Sequence, residues 1–144
     1  MTCAVNLSVI SERVEGDIGD DWQYSLIAEL RHPAGGDRAQ SDDAKHKLPP
    51  GPARVPPGEP QARLVVAACG ETASIELHIS AAEHDWIFPD TGTNQRSMTI
   101  ACPGPGDPVT SKTRAIAVRL EERPRVLGGA ATLSLTVRIG AVCR

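Results

Sequence analysis

Two short segments concentrate carboxylates at a spacing that could hold a metal ion. They read EGDIGDDWQY at 15–24 and EHDWIFPDTGTN at 83–94. Flexible loops rich in carboxylate and amide oxygens supply the ligands that Ca²⁺ prefers. Neither segment matches the EF-hand pattern, so the alternative is a pair of ordinary solvated turns. If the segments meet, the predicted cation ligands are Asp17, Asp20, Asp21, Asp85 and Asp90.

The same segments contain every aromatic residue of the chain. Trp22 and Tyr24 are in phase with Leu26 and Leu30, which predicts that both rings lie in the core. In the second segment the aromatic residues follow an acidic stretch, which is typical of a small recognition patch. The residues of this predicted binding surface are Trp86, Phe88 and Asn94.

Few residues suit catalysis. His84 lies between Glu83 and Asp85 and could serve as a general base, whereas the patterns around His46 and His78 predict surface side chains. The chain has no nucleophile elbow, no phosphate loop and no His/Cys cluster at metal-ligand spacing. The sequence favours a protein that is not an enzyme. The alternative is a small acid/base enzyme, a cyclase or isomerase, with a cavity inside a barrel or sandwich.

The elements that must position these residues are strands, because apolar and polar residues alternate with a period of two. Gly/Pro-rich turns separate the alternating runs, and no stretch shows a sustained helical period. The chain is predicted to be all-β, an antiparallel β-sandwich of seven to eight strands in a single domain at 1–144. The predicted strands are 3–9, 22–30, 63–69, 74–81, 97–102, 113–121 and 132–141.

A Pro-rich segment at 33–61 separates the second and third of these strands. Its charges and prolines predict a partly mobile loop, with residues 34–50 the most mobile. An edge strand at 53–55 would reverse the direction of every later strand. All four cysteines would then lie at one end of the sandwich and both acidic segments at the other. For that reason we favour eight strands.

Eight strands with two acidic loops resemble the C2-domain family, whose β-sandwich holds Ca²⁺ between acidic loops at one end; an immunoglobulin-like sandwich is the alternative. Where C2 domains usually read Asp-Pro-Tyr, this chain reads DDWQY at 20–24. The resemblance implies ligands at Asp17, at Asp20 or Asp21, and at Asp85 and Asp90. The scarcity of lysine argues against calcium-dependent docking on anionic membranes.

The four cysteines carry no CxxC spacing, so a zinc ribbon is not expected. In an oxidising compartment we predict that Cys3 pairs with Cys143 and Cys69 with Cys102; buried free thiols are the alternative. The predicted cellular location depends on whether Met1 is the native start of the protein. A native start at Met1 would place the protein in the cytoplasm, and removal of an export signal would make it a secreted protein.

Charge is unevenly distributed: residues 1–93 carry a net charge of −8 and residues 94–144 a net charge of +5. The overall charge of −3 gives no electrostatic basis for binding nucleic acid, and no apolar run is long enough to span a membrane. We predict a small binding module with a protein partner or self-association, assisted by Ca²⁺ if the acidic segments hold a cation. The further alternative is a structural or assembly subunit that packs through oppositely charged ends.

Overall fold

The computed structural model describes residues 1–16, 18–31, 37–41, 44–66, 68–84, 89–121 and 129–144. These residues form strands and connections, with no helix among them. The prediction of an all-β chain is therefore confirmed. The strands are β1 (Cys3–Glu15), β2 (Asp21–Arg31), β3 (Arg38–Gln40), β4 (Ala44–Lys47), β5 (Gln61–Val66), β6 (Thr72–Glu83), β7 (Asp90–Ala101), β8 (Thr110–Glu121) and β9 (Ala130–Cys143).

The strands form two antiparallel sheets that pack face to face as a β-sandwich, as the sequence predicted. The first sheet has the order β5-β1-β9-β8. The second has the order β3-β2-β6-β7, and β4 also pairs with β2. β8 and β7 are therefore edge strands, and they lie next to each other at one open side of the sandwich.

Alternation along each strand builds the core between the sheets. In β9, Leu133, Leu135, Val137 and Ile139 are at most 1% exposed, while the residues between them face outward. The side chains of Trp22 and Tyr24 are fully buried, as predicted. Burial of each large apolar side chain stabilises the fold by about 1.5 to 3 kcal/mol. The core thus follows directly from the period-two pattern.

β3 and β4 occupy part of the segment that was predicted to be a loop. β3 pairs with residues 27–29 of β2, and β4 pairs with residues 21–24. They act together as one interrupted strand at the edge of the second sheet. The prediction of a loop over this segment is therefore wrong at these two strands, and the mobility of residues 34–50 stays a prediction.

The additional strand also lies elsewhere than expected. Residues 53–55 were predicted to form it, but Arg54 makes only an isolated bridge with Glu12. The stretch from β3 to β4 contains no proline, whereas prolines crowd the stretch after Leu48. Since proline has no N–H to donate to a ladder, the edge strand forms in the proline-free half of the segment.

With β3 and β4 counted as one interrupted strand, the described residues form eight strands, and the later strands run in the directions that the eight-strand hypothesis predicted. Cys3 pairs in register with Val66 and with Cys143, so the cysteines gather at one end. At the opposite end Trp22 pairs with Glu83, and Glu83 pairs with Asp90. We call the first end the cystine end and the second the loop end.

The cysteines form two disulfides, but the predicted pairing is wrong. Cys3 bonds to Cys102, with the Cα atoms 6.0 Å apart, and Cys69 bonds to Cys143, with the Cα atoms 5.6 Å apart. Cys3 is fully buried in the first sheet, and Cys102 directly follows β7 of the second sheet. That bond therefore crosses the core and joins the two sheets. Because all four cysteines gather at one end, strand parity alone could not choose between partners.

Candidate functional site

The two acidic segments meet at the loop end, where Trp22 pairs with Glu83. Residues 16–20 connect β1 to β2, and residues 84–89 connect β6 to β7. The amide N–H of His84 donates a hydrogen bond to the carbonyl oxygen of Asp21, with the two atoms 2.7 Å apart. This contact joins the start of one segment to the end of the other, as the eight-strand hypothesis required.

Two buried carboxylates face each other at this end. Glu83 closes β6 and is 2% exposed, and Asp90 opens β7 and is 0% exposed. They are register partners on the inner face of the second sheet, where facing Cβ atoms lie about 4.5 to 5.5 Å apart. Neighbouring carboxylates repel each other when both are ionised, and a shared proton or a bound cation relieves the repulsion. This pair is the candidate functional site.

The backbone of the first segment packs directly on the pair. A Cβ atom at Gly19 would lie 2.0 Å from the Oε1 atom of Glu83, and the φ angle of Gly19 is +138°. The indole N–H of Trp22 donates to the carbonyl oxygen of Gly19 over 3.2 Å. Only glycine fits this position, since both the space and the backbone conformation exclude a side chain. The first segment is thus held against Glu83.

The described residues place the predicted ligands at different positions. The side chain of Asp20 is 56% exposed, with its Oδ1 atom 3.5 Å from the Nζ atom of Lys47. Asp21 precedes the inward-facing Trp22 on β2, so its side chain lies on the outer face, away from Asp90. Asp17 and Asp85 lie outside the described residues.

The structure therefore brings Asp90 together with Glu83, which was not among the predicted ligands. Within the described ranges, no group of three or more His, Cys, Asp or Glu side chains is arranged to hold a metal. A complete ligand set would need oxygens from outside those ranges or from a partner.

The predicted binding surface is also divided. Trp86 and Phe88 lie outside the described residues. Asn94 was expected in a loop, but it lies within β7, where its Nδ2 atom donates to the carbonyl oxygen of Ala117 in β8 over 2.6 Å. Gly92 also lies in β7, where a Cβ atom would meet the carbonyl oxygen of Arg119 at 2.6 Å. The loop prediction for 90–94 is wrong, because these residues attach β7 to β8.

The three described histidines have distinct surroundings. His84 is half-buried, and its Nε2 atom lies 2.8 Å from the Oε1 atom of Gln23. His78 faces outward on β6, as predicted, with Nε2 3.2 Å from a Glu76 oxygen. His46 was expected on the surface of a loose loop, and that expectation is wrong. Its side chain is only 12% exposed, and it contacts the buried Glu12.

Glu12 is the centre of a second polar cluster, which the sequence did not reveal. Its carboxylate is fully buried. The Tyr24 hydroxyl donates to Oε2 over 2.7 Å, and the Nε2 atom of His46 lies 2.6 Å from Oε1. The Nε atom of Arg54 donates to Oε1 over 3.4 Å. Since β1 belongs to the first sheet and β2 and β4 to the second, the cluster is a polar contact between the sheets.

The cluster keeps Tyr24 in its neutral form. Burial raises the pKa of the Tyr24 phenol, and the hydrogen bond to the Glu12 carboxylate raises it further. The rings of Tyr24 and His46 meet edge to face, with their centroids 6.0 Å apart. These contacts enclose the carboxylate and the imidazole within the fold, so the cluster stabilises the sandwich.

A β-bulge explains how Glu12 reaches the core. Cys3, Val5, Leu7 and Val9 face inward, and the register with β9 then shifts between Val9 and Ser11. The additional residue reverses the alternation, so even-numbered positions face inward afterwards. The sequence does indicate this bulge, because the alternating apolar residues are odd-numbered up to Val9, whereas Val14 is even-numbered.

An open cavity of about 550 Å³ lies on the outer face of the second sheet. Its lining includes Ile27, His78, Gln95 and the ion pair of Glu29 with Arg38, whose closest atoms are 3.1 Å apart. Acidic and basic groups are balanced here, so this cavity does not select a ligand by charge.

The chain matches no protein-family model and no curated protein sequence at a significant level. Among the described residues, no helix is long and apolar enough to cross a membrane. The class that the structure defines is the antiparallel β-sandwich, a fold that serves many unrelated functions, so the function depends on the side chains described above.

Proposed function

We propose that this protein is a small β-sandwich binding module that recognises its partner at the loop end, with Ca²⁺ held beside Glu83 and Asp90. The observation that carries the proposal is the facing pair of buried carboxylates at the loop end, where the two acidic segments meet. Asp17 and Asp85 are the neighbouring carboxylates in the sequence that would complete the ligand set.

Three features support a binding role at this end. The cation would neutralise both carboxylates at once, and Ca²⁺ accepts the oxygen ligands that such segments offer. The two disulfides stabilise the cystine end, so substitutions at the loop end do not remove these bonds. Binding residues are commonly carried on loops that a rigid scaffold positions.

Thermal unfolding in the presence of Ca²⁺ tests the cation site. A ligand that binds only the folded state adds RT ln(1 + [L]/Kd) to the free energy of unfolding, which is about 2.7 kcal/mol at 100 times Kd. For a domain of this size we expect the Tm to rise by several degrees. The substitutions Asp90→Asn and Glu83→Gln should each abolish the rise, because each removes one ligand charge with little change in volume.

The matched control is Glu71→Gln, an exposed carboxylate near the cystine end. It should keep the full Ca²⁺ effect. A melting curve that neither millimolar Ca²⁺ nor millimolar Mg²⁺ moves would overturn the cation site. A rise that persists in Asp90→Asn would place the cation elsewhere. In either case the acidic segments would be assigned as solvated turns or as a protein-contact surface that needs no metal.

A further inference from the structure

The edge strands β7 and β8 enclose a cleft at the open side of the sandwich. Two side chains bridge the strands: Asn94 of β7 donates to the backbone of Ala117, and the Thr110 hydroxyl of β8 donates to the backbone of Ala101. Between these two bridges a cavity of about 510 Å³ opens to solvent. We call it the basic cleft. The residues that define it here are Arg31, Ser74, Ser97, Thr99, Lys112 and Arg114.

Two basic side chains of the cleft, Lys112 and Arg114, occupy strand positions that should face the core according to the alternation along β8. Lys112 pairs in register with Ile139, and Arg114 pairs with Val137. Both apolar partners are fully buried. Lys112 is nevertheless half-buried and Arg114 exposed, because among the described strands none pairs with β8 on the side away from β9. The strand therefore directs two charges towards the neighbouring edge of β7.

Hydroxyl groups lie on the other side of the cleft. Arg31, Ser74 and Thr99 are successive register partners across β2, β6 and β7, so they form one row on the outer face of the second sheet. Ser97 lies two residues before Thr99 on the same face of β7. The row begins with the guanidinium of Arg31 and ends in hydroxyls that line the same cavity as Lys112 and Arg114.

The positive charge of the cleft is only partly balanced. Arg31 forms an ion pair with Glu76, a residue that also lies near His78. Within the described part of the chain, neither Lys112 nor Arg114 forms an ion pair. The guanidinium of Arg114 donates to the backbone carbonyl of Thr113, which leaves other N–H groups able to donate.

We infer that the basic cleft binds a small molecule through a phosphate or sulfate ester group. Arg, Lys and hydroxyl side chains are the donors that recognise a tetrahedral oxyanion, and the planar guanidinium can donate to two oxygens at once. The volume is within the range of sites for small ligands. The site is independent of the loop end, because Asp90 lies at the far end of β7 from Thr99.

The simpler role for these charges is protection of an edge. Lysine and other charged side chains on edge strands keep one sheet from pairing with another copy. Protection of the edge requires charge at β8 but no ligand, and it does not need the hydroxyl groups of Ser74, Ser97 and Thr99. The two roles differ in whether an anion binds at this place.

The experiment is a titration of the full chain with phenyl phosphate, followed by amide chemical shifts in ¹⁵N-labelled protein. We expect saturable shifts at residues 97–99 and 112–114, and weaker binding as the salt concentration rises. A parallel titration with phenyl sulfate distinguishes the two esters. Tighter binding of phenyl phosphate, the more highly charged probe at neutral pH, would assign phosphate esters, and tighter binding of phenyl sulfate would assign sulfate esters.

The substitution Arg114→Gln should raise the Kd by about tenfold or more, since it removes a charge-assisted donor. The matched control is Arg138→Gln, which removes the same charge from an exposed position on the opposite face of the first sheet. It should change the Kd by less than twofold. Absence of saturable shifts with both probes would overturn the inference, as would shifts spread equally over Arg63 and Arg138. Equal losses of affinity in the two variants would also overturn it.

Discussion

Two buried glutamates of the described structure lie in opposite kinds of surroundings. Glu12 is contacted by a hydroxyl, an imidazole and a guanidinium that belong to different segments of the chain. Glu83 faces another carboxylate, Asp90, across a strand pair. In the first site the fold supplies donors to the charge, so the site holds the two sheets together. In the second site two carboxylates would repel each other when both are ionised, and the cation proposed above would neutralise them.

The largest expected effect is loss of the Glu12 carboxylate. Glu12→Gln keeps the shape but places an amide against three donors, and we expect the free energy of unfolding to fall by about 3 kcal/mol. Urea denaturation of the variant and the parent protein measures the difference. A loss below 1 kcal/mol would show that the contacts of Glu12 contribute little to stability, and the contrast between the two sites would fail.

An intermediate effect is expected for Tyr24→Phe. The substitution removes one donor to the buried carboxylate and should cost about 1 to 3 kcal/mol. Because the pKa of Tyr24 is raised in the fold, the folded protein keeps this proton when the unfolded chain begins to lose it, near pH 10. The contribution of Tyr24 to stability is therefore fully present below about pH 10 and falls as the pH rises further.

Denaturation curves recorded from pH 8 to pH 11 check this dependence. The parent protein should lose more stability over that interval than Tyr24→Phe does. Equal slopes for the two proteins would show that the phenol is not held in its neutral form by Glu12 and by burial.

The smallest effect is expected at the other site when no divalent cation is present. Asp90→Asn removes a like charge from beside Glu83, so in a chelating buffer we expect the free energy of unfolding to change by less than about 1 kcal/mol or to rise. Equilibrium denaturation with and without EDTA makes the measurement. A loss as large as that of Glu12→Gln would show that Asp90 is a structural residue, and it would remove the basis for a cation site.

Alternation in the sequence determined the sandwich and most of its strands. In β6 and β9 each apolar residue faces the core because neighbouring side chains on a strand point to opposite faces, and that rule is local. Strand parity with an additional strand at 53–55 predicted that the acidic segments meet at one end and the cysteines at the other, and β3 and β4 supply that strand instead. The register of β2, β6 and β9 agrees with that prediction.

Only the tertiary structure decided which partners those residues meet. The bulge after Val9 moves Glu12 into the core, where Tyr24, His46 and Arg54 approach it from other parts of the chain. Cys3 bonds across the core to Cys102 rather than to its register partner Cys143. Glu83 faces Asp90 because β6 ends and β7 begins at these two residues, whereas the sequence had predicted a loop as far as 94. The period of the alternation assigns a residue to one face of a sheet, and strand parity assigns it to one end of the sandwich. A specific contact depends on how the two sheets pack, and no single segment encodes that packing.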